Sequence, residues 1–322
     1  MLTSKLAHWF ARRKHGNAAD ARLQTDALPV DPQAASVPER SFSIPVLCYH
    51  SWAMSGNAYE GNDHVALESD LKTLGRRGYQ ILPIPTLVAL LRGEIDARPF
   101  TGSKLVSLSC DDARDFDYYP TVNDTMDPVP GFHEILERSR QWCDQTCAGP
   151  RAVSFVIASP EARRILDHTC GRGRDEWRDS WWLECAEKGT LGIANHGWDH
   201  VHDTLPAVRQ RENKKGSFFE IDTFGDAEGQ IVDAQRYIDG CTGSRSLPLF
   251  GYPYGHVPAY LRDEYFPNEA ARIGIRAAFG TGGASVRPDT CIWDIPRFVC
   301  GWHWKGADGF EDLLDAIERG ER

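Results

Sequence analysis

From residue 43 onward the chain alternates short apolar runs with amphipathic, capped stretches, and few folds accept that order. "SIPVLCYH" (43–50) reads as a buried strand, and "VALESDLKTLGRRG" (65–78) as a helix stopped by glycine. "YQILPI" and "KLVSLSC" (104–110) are further strands, separated by "PTLVALLRG", a helix opened by proline. The alternation then runs through "GFHEILERSRQWCDQ" (helix), "RAVSFVIA" (strand), "EWRDSWWLECAEKG" (helix), "TLGIAN" (strand) and "AEGQIVDAQRYIDG" (helix). It closes with "LPLFGY", "AYLRDEYFPNEAARIG", "IRAAFG", "WDIPRFV" and the helix "GFEDLLDAIERG". Strands alternating with helices mean a mostly parallel sheet, and about seven or eight such units predict a closed or nearly closed (β/α) barrel.

Residues 1–40 break this pattern. They read as a polar arm ending in the proline- and alanine-rich linker "DALPVDPQAASVPER", which leaves 41–322 for the barrel. "MLTSKLAHWFARRKHG" has basic residues but no apolar run of the length a secretion signal needs, and no window is long enough to span a membrane. A cytoplasmic protein is the expectation. Nine cysteines, an odd number without paired CxxC spacing, fit free thiols in a reducing compartment. The net charge of −10 argues against a nucleic-acid partner, because phosphate contacts need a basic face.

In a barrel the loops after strand C-termini build the active site. Tyr49-His50 follow the first strand, Asp111-Asp112 the third, His196 and His200 follow "TLGIAN", and "GYPYG" follows "LPLF"; Arg297 lies within "IPRFV". Acids, imidazoles and an arginine thus gather at one rim. One Asp with two His makes a three-ligand site for a single divalent metal: zinc first, with nickel, cobalt or iron able to use the same ligands. Neighbouring side chains point in different directions, so Asp111 and Asp112 divide the labour, one binding metal and the other taking a proton. Two loops of weak pattern, 113–130 and 201–225, follow strand ends and are expected to shape the cleft.

This ordered set resembles the polysaccharide deacetylase family, also known as the NodB homology or carbohydrate esterase 4 family, over most of residues 43–300. "SLSCDDA" is similar to the family's first motif and "NHGWDH" to its second, with two His four apart. "FGYPYG" resembles the third motif of the branch acting on partly deacetylated biofilm polymers, which "PVLCYH" and "IPRF" also suit. The resemblance implies a distorted, seven-stranded (β/α) barrel and removal of an N-acetyl or similar N-acyl group, with release of acetate. It implies Asp111 as the base, Asp112, His196 and His200 as metal ligands, and the Tyr254 backbone N–H as an oxyanion donor.

Three departures accompany it. Gly251 stands where the common third motif has Arg, and from its strand position Arg297 is expected to supply the missing charge beside Asp111. Cys110 and Ala113 replace the usual Phe and Gly, and Ala113 costs backbone freedom at the turn. The late leucine-then-histidine motif is missing, which leaves His303 in "GWHW" or His50 as the acid. Trp198, between the two His, and Tyr252 are expected to line the cleft, whereas Trp177, Trp181 and Trp182, at helical spacing, are expected in the core. With no secretion signal, a small or lipid-linked acetylamino sugar or another small acylated substrate is favoured over an extracellular polymer. The rival readings are a related amidase of cyclic ureides or imides, and a carbohydrate-binding barrel without turnover.

Overall fold

The computed structural model describes residues 42–51 and 54–322; the expected N-terminal arm lies outside the described residues. Ten strands follow in chain order: β1 (Val46–His50), β2 (Gln80–Ile81), β3 (Leu105–Asp112), β4 (Thr121–Val122), β5 (Pro128–Val129), β6 (Ala152–Val156), β7 (Leu191–Asn195), β8 (Leu249–Gly251), β9 (Ala277–Phe279) and β10 (Phe298–Val299). The helices are α1 (Asp63–Arg76), α2 (Ile84–Leu91), α3 (Phe132–Arg138), α4 (Pro160–Thr169), α5 (Trp182–Lys188), α6 (Phe224–Ala227), α7 (Asp233–Thr242), α8 (Phe266–Ile273) and α9 (Gly306–Glu318).

Seven strands form one parallel path, β10-β1-β3-β6-β7-β8-β9, with β2 paired to β3 beside it; β4 and β5 make a separate antiparallel ribbon. The path curls back on itself. Ile295 pairs with Phe279 at one end, and three residues later Phe298 pairs with Leu47 at the other. One segment therefore joins both edges, giving the distorted seven-stranded (β/α) barrel expected from the alternation.

The registers align the C-terminal strand ends. His50 sits opposite Asp111, Asp112 opposite Val156, Val156 opposite Asn195, and Asn195 opposite Phe250. Side-chain period two then sorts β3. Val106, Leu108 and Cys110 join the core cluster that holds Leu67 and Leu71 of α1, Ile135 of α3 and Phe310 and Leu314 of α9. Ser107, Ser109 and Asp111 take the opposite face, where Ser109 meets Arg297.

Two elements differ from the sequence pattern. Helix α4 was not expected, although its signals are there: Ser159 caps it by accepting from the Ala162 N–H, and Pro160 opens it. The tryptophan-rich helix is shorter than expected, starting at Trp182, so Trp177 lies in the preceding loop and not on a helical face. Gly189, Gly243 and Gly274 end α5, α7 and α8 in the left-handed conformation that glycine adopts freely.

Candidate active site

Asp111 ends an interior face that begins with two serines, and its carboxylate meets a buried guanidinium. Arg297 Nη1 lies 2.6 Å from Oδ1 and Nη2 2.8 Å from Oδ2. Arg297 is held in turn by the Gly280 carbonyl (3.0 Å) and the Ser109 hydroxyl (3.2 Å). Burial pushes the Asp111 carboxyl up, but the charge and hydrogen bonds of Arg297, with His196 and His50 nearby, outweigh it and hold the group well below the usual carboxylate range.

Strand parity alone would turn Asp112 away from Asp111 and into the helix layer. The backbone prevents this by going left-handed at Asp112 (φ 72°) and Ala113 (φ 57°). An alanine there costs about 1–2 kcal/mol against glycine. The Trp177 indole N–H pins the turn by donating to the Asp112 carbonyl at 2.8 Å. Asp112 Oδ1 thereby comes within 3.7 Å of Nε2 of both His196 and His200.

The stretch Asn195–His200 explains the histidine pair. Asn195 accepts from the Gly197 N–H at 2.8 Å and donates to the Ile231 carbonyl, which fixes the tight turn after β7. Asp199 is buried; it accepts from the Val201 N–H (2.9 Å), the Arg209 N–H (2.6 Å) and Gln230 Nε2 (2.7 Å). These bonds hold His200 (φ 62°) and Val201 (φ 50°) in the left-handed region, which a β-branched residue rarely enters. Asn195 and Asp199 thus build the scaffold and the two histidines face the site.

Both imidazoles are set to offer a ring nitrogen lone pair. His196 Nδ1 lies 2.8 Å from the Gly251 carbonyl, so Nδ1 carries the proton and Nε2 is left with a lone pair. Burial pushes His200 down to about 3, which keeps it neutral. Its Nδ1 is buried without a hydrogen-bond partner among the described residues. Asp112, His196 and His200 each offer a ligand atom, all within 4.8 Å of one another, and this donor set fits a zinc-like divalent ion. Cys48, His50 and Asp111 meet the same distance test, but burial keeps the Cys48 thiol protonated and Arg297 already holds Asp111. That second cluster is a poor host for a cation.

The cavity over these groups measures about 450 Å³ and is walled by His50, Asp111, Asp112, His196, His200 and Tyr254, among others. Arg114, Cys170 and His202 also line it without any signal in the sequence, together with Trp302 and with Trp177, which was expected in the core. Tyr254 takes φ 59° in the turn after β8, and its ring meets His200 edge-on at 4.3 Å. His50 Nε2 is 3.9 Å from Asp111 Oδ2.

Three expected residues lie elsewhere. Trp198 faces a different groove, packed between Tyr237 and the Arg209 guanidinium, because the Asn195–Gly197 turn directs it away from Asp112, His196 and His200. Tyr252 is fully buried in the apolar cluster around Phe250 and Phe266, with its hydroxyl on the Trp293 carbonyl. His303 accepts from the Val299 N–H through Nδ1 and stacks on Trp302, in a groove beside the cavity. Of the two acid candidates, His50 alone shares the cavity with Asp111.

All nine cysteines are free, and no helix among the described residues is long and apolar enough to cross a membrane. No protein-family profile matches the chain, and no curated protein matches it by sequence. Solved structures do match. The Streptococcus pyogenes deacetylase PplD, determined in complex with acetate, is 17% identical, with a TM-score of 0.52 over 85% of this chain and 97% of that one. The deacetylase domain of BpsB from Bordetella bronchiseptica is 14% identical, with a TM-score of 0.52 over 81% and 97%. IcaB from Ammonifex degensii is 16% identical, with a TM-score of 0.55 over 85% and 96%. At these identities the likeness establishes architecture: the chain carries the barrel fold of these deacetylases.

Proposed function

We propose that the chain is a divalent-metal-dependent hydrolase of the polysaccharide deacetylase type, which removes an N-acetyl or similar N-acyl group from an amino sugar and releases acetate. One observation carries the reading. A three-ligand set, Asp112, His196 and His200, shares a cavity with Asp111, which Arg297 keeps ionised. The deacetylases PplD and BpsB use the same fold, and PplD was determined with acetate bound. The motifs "PVLCYH" and "YPYG" favour the branch named above.

The ion, when bound through Asp112, His196 and His200, supplies a Lewis acid that polarises an amide carbonyl and lowers the pKa of a water. Asp111 accepts the proton of the attacking water. A carboxylate held this low is a weak base, so it needs a water already made acidic, which is why base and ligands belong in one cavity. Arg297 occupies one lone pair on each Asp111 oxygen and leaves the others for the water. The Tyr254 N–H donates to the oxygen that becomes negative as the carbonyl carbon turns tetrahedral. His50, beside Asp111, protonates the departing amine.

The test is metal content and acetate release together. The native chain is expected to bind about one zinc-like ion and to release acetate from N-acetylglucosamine oligomers or derivatives, and His196→Ala to lose both. No ion in either protein after incubation with zinc, nickel and cobalt would overturn the reading. Ring opening of a cyclic imide without acetate release would transfer the site to amidase chemistry.

A further inference from the structure

Four arginines among the described residues have 5% or less of their surface exposed, and three of them each donate to three or more groups or atoms. Arg297 forks onto Asp111. Arg163 pairs with Asp179 at 2.6 Å and also donates to the Trp177 and Ala158 carbonyls. Arg151 has no carboxylate, yet it donates to Ser139, Gln145 and the Cys143 carbonyl. Arg114 is the exception. Its one hydrogen bond among the described residues is Nη2 to the Cys170 carbonyl at 3.3 Å. Its guanidinium otherwise lies against two ring faces, Trp177 at 4.6 Å and Phe116 at 5.8 Å.

A guanidinium has five N–H donors, and a charge is rarely buried without a partner. Asp112, Asp117 and Asp167 feel the charge of Arg114, but none of them comes within the 4.0 Å of an ion pair. The guanidinium instead forms part of the wall of the catalytic cavity, beside Cys170, Trp177 and His202. The two rings fix its plane and the Cys170 carbonyl takes one donor, so the group is positioned before any ligand arrives. A planar, pre-set fork with free donors is what recognises carboxylate or phosphate oxygens.

We propose that Arg114 binds an oxyanionic group, carboxylate or phosphate, carried by the substrate, so that the chain acts on an acidic N-acylated saccharide in preference to a neutral one. This rests on the reading of the cavity as a deacetylase site and narrows its substrate class. Arg114 becomes the residue that sets specificity, and it acts by holding the anion while the acyl group faces Asp111. Its remaining donors, on the cavity wall, are the ones a ligand with acceptors to offer would meet.

The test uses the metal-free full chain, because a bound ion would attract any anion by itself. Binding of N-acetylglucosamine 6-phosphate, N-acetylmuramic acid and N-acetylglucosamine is measured by calorimetry on the native protein, Arg114→Gln and Arg114→Lys. The native chain is expected to favour at least one charged sugar over the neutral one by about tenfold or more. Whether it is the phosphate or the carboxylate sugar identifies the anion. In Arg114→Gln the ratio is expected to fall to near one, and Arg114→Lys to keep part of it. Equal affinity of the native chain for charged and neutral sugars overturns the proposal, as does a ratio that survives in Arg114→Gln. Should Arg114→Gln fail to fold, the native ratio and Arg114→Lys still decide. Because binding is read without metal or turnover, a lack of acetate release would count against the deacetylase reading and not against the anion site.

Discussion

Arg297 and Asp111, 186 residues apart in sequence, are locked in a two-pronged ion pair of 2.6 and 2.8 Å at the closure of the barrel. Arg297 lies on the segment that pairs with both β9 and β1, so closing the sheet is what brings the charge to Asp111. Fold and chemistry depend here on the same few residues.

Replacing Arg297 by Ala strands a buried carboxylate, and loss of one partner from such a pair costs about 3–5 kcal/mol. The Asp111 carboxyl is now held low by Arg297; without that charge its pKa rises. Since the base must be ionised, the acid limb of kcat/KM is expected to move to higher pH, and Arg297→Lys to restore it in part. A melting curve and a pH–rate profile check both. Native-like activity and an unmoved acid limb in Arg297→Ala would show that the fork plays no part in the chemistry.

Gly251 has a steric reason to be glycine. A Cβ there would sit 2.8 Å from Phe155 Cγ and 3.2 Å from His196 Nδ1. The same residue's carbonyl fixes the His196 ring at 2.8 Å. Gly251→Ala is therefore expected to push the strand off the imidazole and to weaken metal binding by about 10–100-fold, the usual effect of disturbing a ligand's supporting hydrogen bond. Competition with a chromogenic zinc chelator reads this directly. Unchanged affinity would mean that the carbonyl does not orient the ligand.

Asp111→Asn separates base from ligand. Asn keeps the size of the side chain and the Arg297 contact to one oxygen but accepts no proton from water. Metal content is expected to stay near one ion per chain, while acetate release falls by at least about 10²-fold. A variant that lost its metal would make Asp111 a ligand instead.

The site's main members were legible because each sits at or beside a strand C-terminus, where residue type and spacing suffice. Asp111, Asp112, His196 and His200 meet in one cavity, and His50 and Arg297 flank Asp111. What stayed hidden depends on turns. Arg114 and Trp177 reach the cavity only because the backbone goes left-handed at Asp112 and Ala113, and no periodicity announces that. Trp198 sits between His196 and His200 in sequence, yet the Asn195–Gly197 turn sends it to the other side. Tyr252 and Tyr254 lie two apart in one motif, yet one packs inside and the other lines the cavity. Helix α4 carries its signal in the Ser159-Pro160 start alone, since its apolar spacing is too sparse to stand out between strand and next helix.

A last expectation concerns stability and a buried acid away from the site. Asp70 accepts from the hydroxyls of Tyr49 (2.9 Å) and Tyr59 (2.6 Å) and from the Trp304 indole (3.3 Å). Burial outweighs these bonds and pushes its pKa up to about 7. In the unfolded chain the group titrates near the model-peptide value of about 3.9. Between those values the folded state holds a proton that the unfolded state has released, so the stability this group contributes is greatest below about pH 4 and falls as pH rises toward 7. The slope is about 1.4 kcal/mol per pH unit for one such group. Asp117, which burial pushes up to about 8, extends the decline further. Asp70→Asn removes one titration, so its midpoint of urea unfolding should fall less than that of the native chain between pH 5 and 7. Parallel declines in the two proteins would mean that Asp70 is ionised in the fold throughout, and that its three donors stabilise a charge instead of a neutral acid.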